Sequence, residues 1–126
     1  MDAERVRELF AAFGPVDVRR MFGGAGVFAD GVMFALVASQ AIYLRVDDES
    51  VADFEREGAA PFSYRTGDGR RVMKSYWQLP ERLYDDEDEL AQWARRAHDA
   101  ARRATMRTGR AVGKAAAPAI RRRARR

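Results

Sequence analysis

Apolar and polar residues recur along this chain on two rhythms, one helical and one extended, and together they predict most of its elements. Near the start, Val6, Leu9, Phe10 and Phe13 fall at three- and four-residue spacings, a single helical stripe, with Asp2 and Glu4 where the helix dipole favours anions. Gly14-Pro15 ends that helix, and residues 16–22 follow as a short leading strand on which the adjacent Arg19 and Arg20 point to opposite faces. Residues 21–46 hold most of the uninterrupted apolar sequence, in three runs at 25–29, 32–38 and 42–46. The runs are separated by Asp30-Gly31 and Ser39-Gln40, two-residue gaps of the length that closes tight hairpins, so an antiparallel meander is predicted. Its middle strand is apolar on both faces, which suits a central position. Its last strand alternates, with Ile42, Leu44 and Val46 on one face and Tyr43 and Arg45 on the other, as expected where one side is wet.

The second half continues in the same manner. Ser50-Val51-Ala52-Asp53 fits a capping box, in which Ser50 accepts from backbone N–H groups and Asp53 reaches back; a short helix follows, with Val51 and Phe54 inward and Gly58 as its left-handed terminator. Residues 62–66 and 72–79 form a hairpin about Gly67-Asp68-Gly69, with Phe62 and Tyr64 on one face. Pro80 closes it. The anionic run 85–89 then opens a last helix whose buried stripe is Leu90, Trp93, Ala94, Ala97 and Ala101, with Arg95 and Arg96 farther along, an order of charge that complements the dipole. The predicted architecture is α+β in two layers: an antiparallel sheet of about five strands with helices on one face, in the order α-β-β-β-α-β-β-α.

Composition sets limits on function. The 126 residues suffice for one domain, and 47% hydrophobic with 10% aromatic residues is ordinary for a folded protein. The absence of cysteine excludes disulfides and thiolate chemistry and removes the usual structural zinc ligands. No apolar run approaches the ~20 residues of a membrane span, and the acidic start leads straight into an amphipathic pattern without a signal peptide, so a cytoplasmic location is expected.

The net charge of +4 conceals an asymmetry. Ten of the 23 basic residues (Arg102, Arg103, Arg107, Arg110, Lys114, Arg121, Arg122, Arg123, Arg125 and Arg126) lie in 102–126, where there is no acidic residue; the remaining thirteen face all nineteen acidic residues in 1–101. The chain therefore reads as an acidic domain, 1–101, followed by a basic Arg- and Ala-rich tail, 102–126, partly helical and then disordered. Ten cations without counter-charges attract polyanions of any sequence through counterion release, and the tail has no aromatic residue on which bases would stack.

Catalytic constellations are not evident. His98 is the single histidine, expected at a partly exposed helix position, and no cysteine or second histidine completes a metal site around it. The acidic run 85–89 lacks the alternating ligands and turn glycine of a calcium loop. Gly24 to Ala29 matches the dinucleotide pattern only formally, because those glycines lead into a strand rather than a helix; they are expected instead to permit positive φ or close backbone approach. The run from Gly109 to Ala115 is one residue short of a phosphate loop and lacks its Ser or Thr.

Five blocks carry a resemblance: Arg19-Arg20-Met21-Phe22-Gly23-Gly24, then Asp30-Gly31-Val32-Met33-Phe34-Ala35-Leu36, Tyr43-Leu44-Arg45-Val46-Asp47, Pro61-Phe62-Ser63-Tyr64 and Ser75-Tyr76-Trp77-Gln78-Leu79-Pro80. In this order they resemble the N-terminal domain of the TfoX/Sxy family. The resemblance implies the same helix and strand order and a role in regulating competence genes, the DNA-uptake programme of bacteria, as a coactivator beside a transcription factor and without enzymatic activity. It offers no catalytic residue, cofactor or metal. The motif positions Met21, Phe22, Gly23, Gly24, Gly26, Asp30, Gly31, Tyr76, Trp77 and Pro80 are expected to be mostly structural. The longer regulators carry a second, helical domain where this chain has its tail. The reading that follows is a regulatory or adaptor domain that binds a protein partner through its sheet or its acidic surface, with the tail contacting nucleic acid nonspecifically. The alternatives are a small nucleoid-associated or RNA-binding protein acting mainly through the tail, and a small-molecule-binding domain.

Overall fold

Asp2 starts the fold as a helix cap: its carboxylate accepts from the Arg5 N–H at 2.8 Å and opens α1 (Ala3–Leu9). The structure, a computed structural model, describes residues 1–21 and 23–112, with the backbone alone from 107 onward. Four strands follow α1, β1 (Asp17–Met21), β2 (Gly24–Ala29), β3 (Val32–Ala38) and β4 (Ala41–Arg45), and then α2 (Val51–Arg56). A long hairpin, β5 (Pro61–Thr66) and β6 (Gly69–Gln78), leads through a 3-10 turn (Glu81–Asp85) into α3 (Glu87–Val112). The sheet is antiparallel with spatial order β1-β2-β3-β4-β6-β5, so the leading strand joins the edge and brings the number of strands to six.

Both predicted turns of the meander form, and both put two consecutive residues at positive φ, as primed turns require: Asp30 at 53° and Gly31 at 76°, Ser39 at 52° and Gln40 at 65°. Gly58, at φ 76°, ends α2 in the left-handed conformation expected of it.

Alternation along the strands sends Val27, Ala29, Ala35, Val37, Ile42 and Leu44 to one face, where all three helices cover them. Val6, Leu9 and Phe10 come from α1 and its end, Phe54 from α2, and Leu90, Trp93, Ala94, Ala97 and Ala101 from α3. One irregularity adds to this core. Val27 pairs with Ala35 but Phe28 with Met33, so Phe34 is the extra residue of a bulge and turns inward beside Ala35, both fully buried. Its ring meets Phe10 at 5.4 Å and Phe13 at 5.0 Å between centroids.

Two sequence expectations are corrected. His98 is buried, not partly exposed: its Nε2–H donates to the Ala29 carbonyl at 2.8 Å and its ring stands edge-on to Phe34 at 5.7 Å. It lies four residues after Ala94 and three before Ala101, on the buried stripe of α3. Ser50 makes no capping bond to α2. Its hydroxyl instead accepts from the Asp47 N–H at 3.1 Å, and the Asp47 carboxylate accepts from the N–H groups of Glu49 and Ser50 at 3.1 and 3.2 Å. The turn opens at Asp47, whose carbonyl receives the Val51 N–H, so Ser50 is already in helical conformation; Asp53 is drawn to Arg56 and Arg96 instead.

Candidate functional site

With the helices on one face, the other face of the sheet is bare among the described residues. Cross-strand pairing fixes its occupants: Asp17, Arg19 and Met21 from β1; Gly26 and Phe28 from β2; Met33 and Leu36 from β3. Tyr43 and Arg45 of β4 lie beside Gln78 and Tyr76 of β6, and Phe62 and Tyr64 of β5 lie opposite Met73 and Arg71. The aromatic groups touch in sequence. Tyr43 meets Phe62 edge-on at 4.9 Å, and Phe62 stacks on Tyr64 at 5.8 Å with 22° between the rings. Arg19 lies over the Phe28 ring at 4.4 Å, and Arg45 over Tyr76 at 5.6 Å. Burial pushes the Tyr76 hydroxyl above its ordinary range, against the neighbouring Arg45 guanidinium. Arg45 Nε is itself buried without an acceptor among the described residues.

Two glycines of the motif keep this region in shape. A Cβ on Gly24 would stand 2.2 Å from the Val37 carbonyl oxygen, so the backbones of β2 and β3 approach there only because the side chain is absent. A Cβ on Gly26 would meet the Met21 and Met33 sulfurs and the Phe28 ring at 2.7 to 3.1 Å, so three apolar groups close over bare backbone.

The helical side is chemically different, and several of its charges are clamped. Arg82 forks between Glu57 (Nη2 to Oε2, 2.7 Å) and Glu89 (Nη1 to Oε1, 2.8 Å), and its hydrogen bonds hold both carboxyls below the ordinary carboxylate range. A shallow recess of about 350 Å³ adjoins the fork, lined by residues 57–59 and 78–82. Arg103 holds Asp47 through Nη2 at 2.7 Å and Nε at 2.8 Å. Burial works to raise the Asp47 carboxyl; the Arg103 guanidinium, with the Glu49 N–H and Ser50, outweighs it and keeps the pKa low. Among the described residues, no cluster of three or more His, Asp or Glu groups could hold a metal, and no helix is long and apolar enough to cross a membrane.

The tail residues named from the sequence divide. α3 runs through residue 101 without a break to Val112. On it Arg102 is exposed, whereas Arg103 is folded back onto Asp47. Arg107 and Arg110 are placed as backbone only, and Lys114, Arg121, Arg122, Arg123, Arg125 and Arg126, like Phe22 of the motif, lie outside the described residues. Of the other motif positions, Met21 and Tyr76 belong to the bare face and Trp77 packs against the core. Trp77 donates its indole N–H to the Lys74 carbonyl at 2.9 Å. Asp30 and Gly31 form the first hairpin turn, Gly23 lies at φ 81° just before β2, and Pro80 caps the 3-10 turn. Sequence reasoning did not single out Arg19, Phe28, Phe62, Tyr64 and Arg71 as one surface. Alternation within each strand held the signal, but the order of strands needed to join them did not follow from it.

Comparison with known proteins bears on this arrangement. The family model for the TfoX N-terminal domain matches residues 8–101. Protein Sxy of Escherichia coli (strain K12) is 26% identical over 95 residues, covering 75% of this chain and 45% of that protein. The chain thus spans less than half the length of that curated relative.

Proposed function

We propose that this chain, which belongs to the TfoX N-terminal domain family, is a non-enzymatic regulatory adaptor of the competence-regulator kind, acting in the cytoplasm. Its acidic helical surface takes a basic face of a protein partner, of the transcription-factor type, while the basic segment 102–126 holds the complex on nucleic acid. The observation that carries this reading is the partition of charge. In residues 1–101 the six strands hold seven basic residues and one acidic residue, while the helices and connections hold six basic and eighteen acidic. An acidic surface joined in one chain to a basic segment can engage a basic face of one partner and a polyanion together, which suits bridging rather than chemistry.

The test is a salt series with random-sequence duplex DNA, comparing the full chain with a full-length variant in which the eight basic residues of 107–126 are changed to Gln. The full chain is expected to bind with a steep negative salt dependence, roughly −0.9 in log–log slope per phosphate neutralised, and the variant with a slope near zero. Equal slopes, or no binding by the full chain at moderate salt, would remove the tether from this account.

A further inference from the structure

We infer that the bare sheet face is a platform for single-stranded nucleic acid, separate from the tail and from the acidic surface. Charge selects a polyanion. Arg19, Arg45 and Arg71 project from this face with Asp17 as its one carboxylate, and none of the three arginines takes part in an ion pair among the described residues. The arginines that are paired, Arg5, Arg56, Arg82, Arg96 and Arg103, all lie on helices or connections.

The aromatic groups select the form of that polyanion. Tyr64 is 42% exposed although it stacks on Phe62, so one face of its ring is backed by protein and the other is turned to solvent. Phe62 is fixed in turn by Tyr43, and across the sheet the Arg19 guanidinium offers a second flat, cationic surface over Phe28. Bases stack on such groups when they are unpaired, and inside a duplex their faces are not available. The six strands span about 24 Å at the usual spacing between neighbours, room for several nucleotides laid across them. A second copy of the chain fits less well, because two such faces would set three arginines against three. The inference goes beyond the tail-and-partner reading and stands if that reading fails.

The experiment measures binding of the full chain to a labelled oligothymidine and to a duplex of equal length, by anisotropy, with the variants Tyr64→Ala and Arg19→Gln/Arg71→Gln. All three positions are exposed, and unchanged thermal unfolding confirms the fold. Because the tail is present throughout, its contribution is common to every protein. Tyr64→Ala is expected to weaken single-strand binding about tenfold and leave duplex binding within about twofold. The double arginine variant is expected to flatten the salt dependence for the single strand by up to about 1.4, two phosphates at about 0.7 each. The inference is overturned if both variants leave single-strand affinity unchanged. It is overturned equally if they reduce single-strand and duplex binding alike, or if they alter only self-association in sedimentation, which would make the face a contact between copies.

Discussion

Asp47 holds together more of this structure than its place in a surface turn suggests, and changing it to Ala gives the account a quantitative test. The carboxylate accepts two backbone N–H groups at the start of α2, lies 3.3 Å from the Ser50 hydroxyl, and takes both Nη2 and Nε of Arg103 from α3. Losing a side-chain cap costs about 1 kcal/mol. The ion pair adds about 1 kcal/mol, a modest figure because the Arg103 side chain is 37% exposed and solvent screens it. The sum, about 2 kcal/mol, corresponds to a fall in Tm of roughly 10 °C for a chain of this size. Urea unfolding of the wild type, Asp47→Ala, Arg103→Ala and the double variant would separate the two contributions, with a coupling energy of about 1 kcal/mol expected from the cycle. The pH dependence follows from the same contacts. The Asp47 pKa is lowered from 3.8 in the fold, so its stabilisation is complete above that value and disappears as pH falls through the lower folded-state pKa. The gap between wild type and Asp47→Asn should therefore be wide at neutral pH and close as the pH falls below the ordinary carboxylate range. An Asp47→Ala cost under about 0.5 kcal/mol, or strict additivity with Arg103→Ala, would refute the reasoning and release Arg103 to act as a tail residue.

Four further substitutions probe the fold. Gly24→Ala places a Cβ 2.2 Å from a backbone oxygen and should destabilise by about 3 kcal/mol or more in urea titration, whereas Gly26→Ala, which meets two mobile thioether ends, should cost only about 1 kcal/mol. Phe34→Ala empties the centre of the ring cluster around His98 and should cost about 3–5 kcal/mol by the same measurement. Gln40→Gly relieves a non-glycine residue held at φ 65° and should raise stability by up to about 1 kcal/mol, read as a small increase in Tm.

Local rhythm made much of this legible. The spacing of Val6, Leu9 and Phe10, the Asp30-Gly31 turn and the stripe from Leu90 to Ala101 each depend on neighbours close in sequence, and each element formed, although α1 stops at Leu9, short of the Gly14-Pro15 break expected to end it. What the rhythm left out was set by contacts made across the fold. The inward turn of Phe34 comes from a bulge against β2, and period-2 alternation alone would have sent it to the bare face. Ser50 and Asp47 are both able to cap α2, and Asp47 prevails where Arg103, 56 residues away in sequence, also engages it. His98 reads as a surface residue until the Ala29 carbonyl is seen to be within reach. The same limit applied to the candidate platform, because β6 inserts between β4 and β5, an order that alternation within a strand does not fix, and Tyr43 and Phe62 meet across it.

A regulatory adaptor of the competence type is put to the test by transcript abundance of the DNA-uptake genes in the source organism after deletion of the gene for this chain. Those transcripts are expected to fall, to be restored by the full chain, and not to be restored by the variant neutralised across 107–126. Unchanged uptake-gene transcripts in the deletion strain under competence-inducing conditions would contradict it.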